Sequence, residues 1–134
     1  MKLSELVSGA GVVRIAGDAG VEVKGLRHDS RAVQPGELFF ALPGAKTDGN
    51  RHIKSACEKG AIAIVSELEP PPAPLALPAP WVQVSDSALA MGRIADKFFG
   101  HPSAGMVVFG ITGTNGKTTT TYFLESIVNA MGGR

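Results

Sequence analysis

At 134 residues the chain has room for one compact domain with its own core, while two complete domains would be crowded. Lysine and arginine number 13 and aspartate and glutamate 12, a formal net charge of +1, so no long-range field attracts a nucleic-acid backbone or an anionic membrane surface. One cysteine, Cys57, leaves neither an intramolecular disulfide nor a thiol pair for zinc, and a cytoplasmic location is expected. Glu5 interrupts the segment that would have to be apolar in a signal peptide, and nowhere do about 18 apolar residues run together, so neither a signal peptide nor a spanning helix is expected.

Taken in order, Leu3 to Val7 reads as a short helical turn, and the glycines at 9, 11, 17 and 20 punctuate two brief strands around Val12 to Ile15 and Val21 to Val23. Pro35-Gly36 signals a tight turn before the dense apolar run Glu37 to Leu42, a buried strand. Asp48 stands at a helix N-cap, Ile53, Ala56 and Cys57 recur at helical spacing, and Gly60 stops that helix before the apolar, β-rich run Ala61 to Val65. Strand, helix and strand within about 30 residues make a βαβ unit, and hence an α/β fold.

Glu69 to Pro80 contains six prolines and forms a surface loop or stiff spacer, since proline suits neither a helix interior nor a central strand. Trp81 to Val84 is a strand, and Ser85 or Asp86 caps a helix whose apolar residues Leu89, Ile94, Ala95, Phe98 and Phe99 lie mostly on one side. Gly100 ends it, and His101 to Gly105 has the composition of a hinge, dividing the chain into 1–102 and 103–134. Met106 to Thr112 then reads as a strand and Thr118 to Met131 as a helix.

Between those last two elements stands GITGTNGKTTT, a glycine-bearing loop between a hydrophobic strand and a helix that begins at lysine. Gly113 and Gly116 let backbone N–H groups turn inward around phosphate oxygens, and the free amides at the helix start add partial positive charge. Lys117 would reach the terminal phosphates, and the Thr118 hydroxyl would ligate a bridging magnesium ion. The strict pattern G-x-x-x-x-G-K-[ST] demands glycine where this chain has Ile111; instead glycines stand at 110, 113 and 116. ATP or GTP is the expected ligand, and the loop by itself does not choose between them.

GITGTNGKTTTT resembles the ATP loop of the Mur ligases, cytoplasmic enzymes that add amino acids stepwise to UDP-N-acetylmuramic acid, and that family departs from the strict spacing in the same way. HDSRAVQPGELFFALPGAKTDGNRHIKSACEKGAIAIV independently resembles the UDP-binding domain shared by the third and fourth ligases of that pathway. Thr114 and Thr121 make the loop more similar to the member adding the third residue to UDP-N-acetylmuramoyl-L-alanyl-D-glutamate than to the member adding D-alanyl-D-alanine.

The resemblance implies an N-terminal UDP-binding domain over 1–102, with a mixed sheet and flanking helices. The first strand, phosphate loop and helix of a truncated ATP-binding domain would follow over 103–134. It assigns ATP to Gly113, Thr114, Asn115, Gly116, Lys117, Thr118 and Thr119, with Lys117 catalytic and Thr118 on magnesium. It assigns the UDP end of the substrate to His28, Ser30, Ala45, Lys46 and Thr47. Activation of the D-glutamyl carboxylate as an acyl phosphate, displaced by an incoming amine, is the implied chemistry.

Other residues have plainer readings. Asp29 and Arg31 stand in the UDP motif but equally suit a structural clamp. His52 and His101 stand singly and suit surface or capping roles, while Cys57, Phe98 and Phe99 read as core residues. Trp81 has no basic or aromatic companions for nucleic acid. A D-alanyl-D-alanine-adding ligase, another ATP-dependent ligase such as folylpolyglutamate synthase, or a non-catalytic nucleotide-binding module remain alternatives, and the choice of diaminopimelate or lysine is not readable. A lone strand and helix beyond residue 103 cannot bury their apolar faces, so a truncated, inactive fragment is expected, with that surface covered by the first domain or by a second copy. The whole enzyme is expected to be a monomer.

Overall fold

The computed structural model describes residues 1–44, 48–72 and 78–132. The chain divides into two compact units, Met1–Pro102 and Ser103–Arg134. The first contains helices α1 (Leu3–Leu6), α2 (Ile53–Glu58) and α3 (Ser87–Phe98) and strands β1 (Val12–Ala16), β2 (Gly25–Arg27), β3 (Glu37–Ala41), β4 (Ala63–Ser66) and β5 (Trp81–Val84). The second contains helix α4 (Lys117–Ala130).

The strands form one sheet in the order β1-β5-β4-β3-β2. β2, β3, β4 and β5 run parallel, and β1 lies antiparallel against β5, so the sheet is mixed. Parallel strands need cover on both faces, and their side chains alternate accordingly. Leu38 and Phe40 of β3, Ala63 and Val65 of β4, and Val82 and Val84 of β5 point to one face, against Leu3, Leu6 and Val7 of the α1 region and Ala90 and Ile94 of α3. Phe39 and Ala41, Ile64, and Trp81 point to the other face, against Ile53 and Ala56 of α2. All five residues of β3 are buried for this reason, which explains its unbroken apolar run.

Several elements fall where the sequence predicts. β5 spans the expected residues, and β3–α2–β4 is the expected parallel βαβ unit. The Asp48 side chain accepts from the Asn50 N–H at 3.0 Å, capping a single 3₁₀ turn (Gly49–His52) that leads into α2. Asp86 caps α3 by accepting from the Leu89 N–H at 2.8 Å.

Other expectations are corrected. Met106 to Thr112 forms no strand among the described residues, because a strand exists only through ladder hydrogen bonds and no neighbouring strand pairs with it. Val21 to Val23 contributes one isolated bridge, Lys2 with Glu22, rather than a strand. β2 was not foreseen, being three residues long and flanked by charge. Leu89 and Phe99 are exposed, Phe99 by 68%; α3 buries Ser87, Ala90 and Ile94 instead, so its inward face is narrower than its apolar sequence suggests. Phe98 alone of the two phenylalanines packs on the core, with Phe99 edge-on against it at 5.2 Å between ring centroids. Of the proline-rich stretch, residues 73–77 lie outside the described ones.

One buried charge is exceptional. Glu37 opens β3, is 8% exposed, and accepts from Arg27 Nε at 3.0 Å and from the Gln34 N–H at 2.9 Å. The Arg27 hydrogen bond, aided by that from Gln34, holds its carboxyl below the ordinary carboxylate range despite burial. A group whose pKa is lowered on folding contributes stability above its unfolded value, and that contribution is lost as pH falls through the folded value. Thermal midpoints should therefore fall from about pH 4.5 downward. Glu37→Gln should lower the neutral-pH midpoint by roughly 4–8 °C and flatten part of the acid slope, since Arg27 is partly exposed and its pair counts for about 1 kcal/mol. Equal acid slopes in variant and parent would remove Glu37 from this role.

Candidate functional site

In parallel sheets, ligands bind beyond the carboxyl ends of the strands. Beyond β2 the chain continues as His28, Asp29, Ser30 and Arg31, and beyond the adjacent β3 as Leu42, Pro43 and Gly44. These residues line a cleft of about 700 Å³, completed by Phe39, Gly49, His52 and Ser55. His28 and Ser30, which the resemblance assigns to the UDP end of the substrate, thus share one cavity with Gly44, the residue before the second assigned segment. Ala45, Lys46 and Thr47 themselves lie outside the described residues.

The wall carrying His28 and Ser30 is a tight turn. Asp29 accepts from the Arg31 N–H at 2.9 Å and forms a two-point ion pair with the Arg31 guanidinium, at 3.0 Å from Nε and 2.8 Å from Nη2. The Arg31 hydrogen bonds hold the Asp29 carboxyl far below its ordinary range. Both readings of this pair therefore meet: it clamps the turn and it stands in the cleft wall.

The opposite wall is fixed from beneath. Ser66, fully buried at the end of β4, donates to Asn50 Oδ1 at 2.7 Å and accepts from the Leu68 N–H at 3.0 Å. Asn50 in turn donates to Asp48 Oδ1 at 2.8 Å. This chain of bonds seats the turn that brings Gly49 and His52 to the cleft. Gly49 approaches β3 so closely that a Cβ would lie 2.8 Å from both the N and O of Leu42. His52 is a cleft residue that its isolation in the sequence gave no sign of, and Gly49 and Ser55 were equally unmarked. His101, by contrast, only finishes α3: its N–H donates to Asp96 O at 2.7 Å and its ring Nδ1 lies 2.6 Å from the Asp96 carboxylate. Cys57 is partly buried against the α2 face of the core, and burial pushes its thiol pKa up.

The second unit holds the glycine-bearing loop expected to bind phosphate. Gly113 and Gly116 have φ of 154° and 77°, conformations costly for any residue with a Cβ. Gly116 is the N-cap of α4 and has no side chain to occupy the free amides of the first turn. Lys117 Nζ donates to Gly113 O at 2.8 Å, so the ammonium lies across the loop. Thr114 and Asn115 form the bend between the glycines, and Thr118 and Thr119 fall in the first turn of α4. Glycine conformation, helix amides and ammonium suit a polyphosphate. For magnesium the chain offers the Thr118 hydroxyl, and among the described residues no group of three or more His, Cys, Asp or Glu is arranged to hold a metal. No described helix is long and apolar enough to cross a membrane.

Comparison with known proteins places these features in a family. Residues 22–99 match the model described as "Mur ligase family, catalytic domain". The UDP-N-acetylmuramoyl-L-alanyl-D-glutamate–2,6-diaminopimelate ligase of Geobacter sulfurreducens is 47% identical over 98% of this chain, and relatives bearing the same name in seven other bacteria are 36–45% identical. The chain spans about a quarter of the length of these relatives. Among solved structures, MurF from Acinetobacter baumannii superposes with a TM-score of 0.71 at 24% identity, over 96% of this chain and 28% of that one, which shows the fold. The MurF ligase from Thermotoga maritima in complex with ADP gives 0.58 at 27% identity, over 82% of this chain and 24% of that one. With the family model covering more than half of its residues, the chain belongs to the Mur ligase family.

Proposed function

We propose that this chain supplies the nucleotide-sugar site and the phosphate loop of an ATP-dependent, amide-forming ligase of peptidoglycan precursor synthesis. That enzyme adds the third amino acid to UDP-N-acetylmuramoyl-L-alanyl-D-glutamate in the cytoplasm. Residues 1–102 are the UDP-muramoyl-peptide-binding domain, and 103–134 begin the ATP-binding domain. The observation that carries this reading is identity of up to 47% running through both the cleft and the loop, with relatives named as diaminopimelate ligases. The D-alanyl-D-alanine-adding reading is weaker because the curated relatives at 36–47% identity bear the diaminopimelate name; solved structures do not separate the two, since MurF at 24–27% and a diaminopimelate ligase at 23% share the fold alike. Diaminopimelate is preferred to lysine on the ground of those names.

Each residue has a part. His28 and Ser30, with residues 45–47, hold the uridine diphosphate end, remote from the reacting carboxylate. Gly113, Thr114, Asn115, Gly116, Thr118 and Thr119 cradle the ATP phosphates with backbone amides, and Lys117 balances the charge that accumulates during phosphoryl transfer. Thr118 would offer its hydroxyl to magnesium. When bound, ATP with magnesium supplies the phosphoryl group that activates the D-glutamyl carboxylate for attack by an amine. By itself the 134-residue chain binds the UDP end and does not catalyse, and ADP in a related structure favours ATP over GTP.

The full-length enzyme, given UDP-N-acetylmuramoyl-L-alanyl-D-glutamate, ATP and magnesium, should release phosphate when diaminopimelate is added. Lysine should serve poorly. Phosphate release with D-alanyl-D-alanine on the tripeptide precursor, and none with diaminopimelate, would overturn the assignment.

A further inference from the structure

Lys59 follows α2 and does not line the cleft, yet its ammonium donates to two consecutive carbonyls of the cleft turn, Ser30 O at 3.0 Å and Arg31 O at 2.9 Å. The turn's other strong contacts, the Asp29–Arg31 bonds, lie within the turn itself; they set its shape without attaching it to the rest of the domain. The bonds from Lys59 reach it from an element 28 and 29 positions away. The base of this contact is firm. Lys59 N–H donates to Ser55 O at 3.2 Å, the Gly36 N–H donates to Gly60 O at 3.0 Å, and Gly60 packs so tightly that a Cβ there would lie 3.0 Å from Pro35 Cα.

We propose that Lys59 is a positioning residue for the cleft: by holding the Ser30 and Arg31 carbonyls it fixes the turn that presents His28 and Ser30, and affinity for a nucleoside diphosphate depends on it. This rests on reading the cleft as the UDP site. The geometry turns two partially negative carbonyl oxygens toward a cation. An ammonium has three donors, enough to serve both carbonyls. A methionine of similar length would preserve the packing of the stem and leave the turn free to shift.

The test is calorimetric titration of the 134-residue chain with UDP, for the parent, Lys59→Met and Lys59→Arg, with a thermal melt of each. Lys59→Met should weaken UDP binding by about fivefold to tenfold at a temperature well below its midpoint. Lys59→Arg should restore affinity to within about twofold, since a guanidinium carries enough donors to serve both carbonyls. A brace with a purely structural role would lower the midpoint and leave affinity unchanged, so unaltered UDP binding by a folded Lys59→Met variant overturns the proposal. Should that variant lose its fold, Lys59→Gln takes its place with the same two outcomes. Absence of UDP binding by the parent chain would instead sink the reading of the cleft, and the proposal with it.

Discussion

Lys117→Ala in the full-length ligase should lower the rate of ATP-dependent phosphate release by about a hundredfold to a thousandfold or more, while its affinity for the UDP-muramoyl dipeptide stays within about twofold of the parent. Phosphoryl transfer needs little covalent chemistry from the protein; positioning and charge neutralisation carry it, so one missing cation is costly. Lys117 is the residue whose ammonium crosses the loop, 2.8 Å from Gly113 O. The cleft proposed for UDP lies in the other unit, beyond β2 and β3, which is why substrate binding should survive. Steady-state kinetics with the dipeptide substrate, together with direct binding of that substrate, separates the two effects. A Lys117→Ala enzyme that retained its rate would remove Lys117 from the catalytic role.

Gly49→Ala should damage the cleft proposed for the nucleotide sugar from a single added methyl group. The new Cβ would meet Leu42 N and O at 2.8 Å and Ala41 C at 3.2 Å, all backbone atoms at the end of β3. Relief requires either β3 or the turn at Gly49–His52 to move, and the Gly49 N–H to Leu42 O bond of 2.9 Å ties those two together. Overpacking of this kind costs about 1–3 kcal/mol, or a midpoint lower by about 4–8 °C for each kcal/mol. Leu42, Gly49 and His52 all line the cleft, so UDP affinity should fall by about tenfold as well. Gly92→Ala supplies the control: it lies on the exposed side of α3 with nothing within 4 Å of an added Cβ, and should be neutral or stabilising by up to about 1 kcal/mol. Equal UDP binding by Gly49→Ala and Gly92→Ala would show that the close contact at Leu42 does not shape the site.

Much of the first unit was legible because burial on both faces leaves a plain signature. β3 and β5 announced themselves as apolar runs, and their alternation between two cores follows from strand geometry once both faces are covered. Capping was readable in part: Asp86, one of two candidates with Ser85, accepts the Leu89 N–H at the start of α3, and Asp48 accepts the Asn50 N–H at the start of the 3₁₀ turn that leads into α2. What failed was inference about partners. Met106 to Thr112 has the composition of a buried strand, but composition expresses a need for neighbours and cannot create them; Val107, Val108 and Phe109 are exposed. Phe99 was misjudged because the buried arc of α3 is set by Ala90 and Ile94, and the sequence marks apolar residues without giving the width of that arc.

The site divides the same way. Lys117 stands in a loop whose chemistry is written in residue types and order, whereas Ser30 is marked only by the resemblance of its segment to a family motif. His52, Gly49, Ser55 and Lys59 reach the cleft or its supporting turn through contacts that only the folded sheet creates. Lys59 illustrates the limit well, since a lysine after a short helix carries no local mark of two carbonyls 28 and 29 residues away.

Calorimetric titration of the 134-residue chain with UDP-N-acetylmuramoyl-L-alanyl-D-glutamate, set beside a titration with ATP and magnesium, tests the central claim most directly. Saturable binding of the nucleotide sugar with feeble binding of ATP is the predicted result. No heat from the nucleotide sugar, in a chain shown to be folded, would contradict the assignment of the cleft.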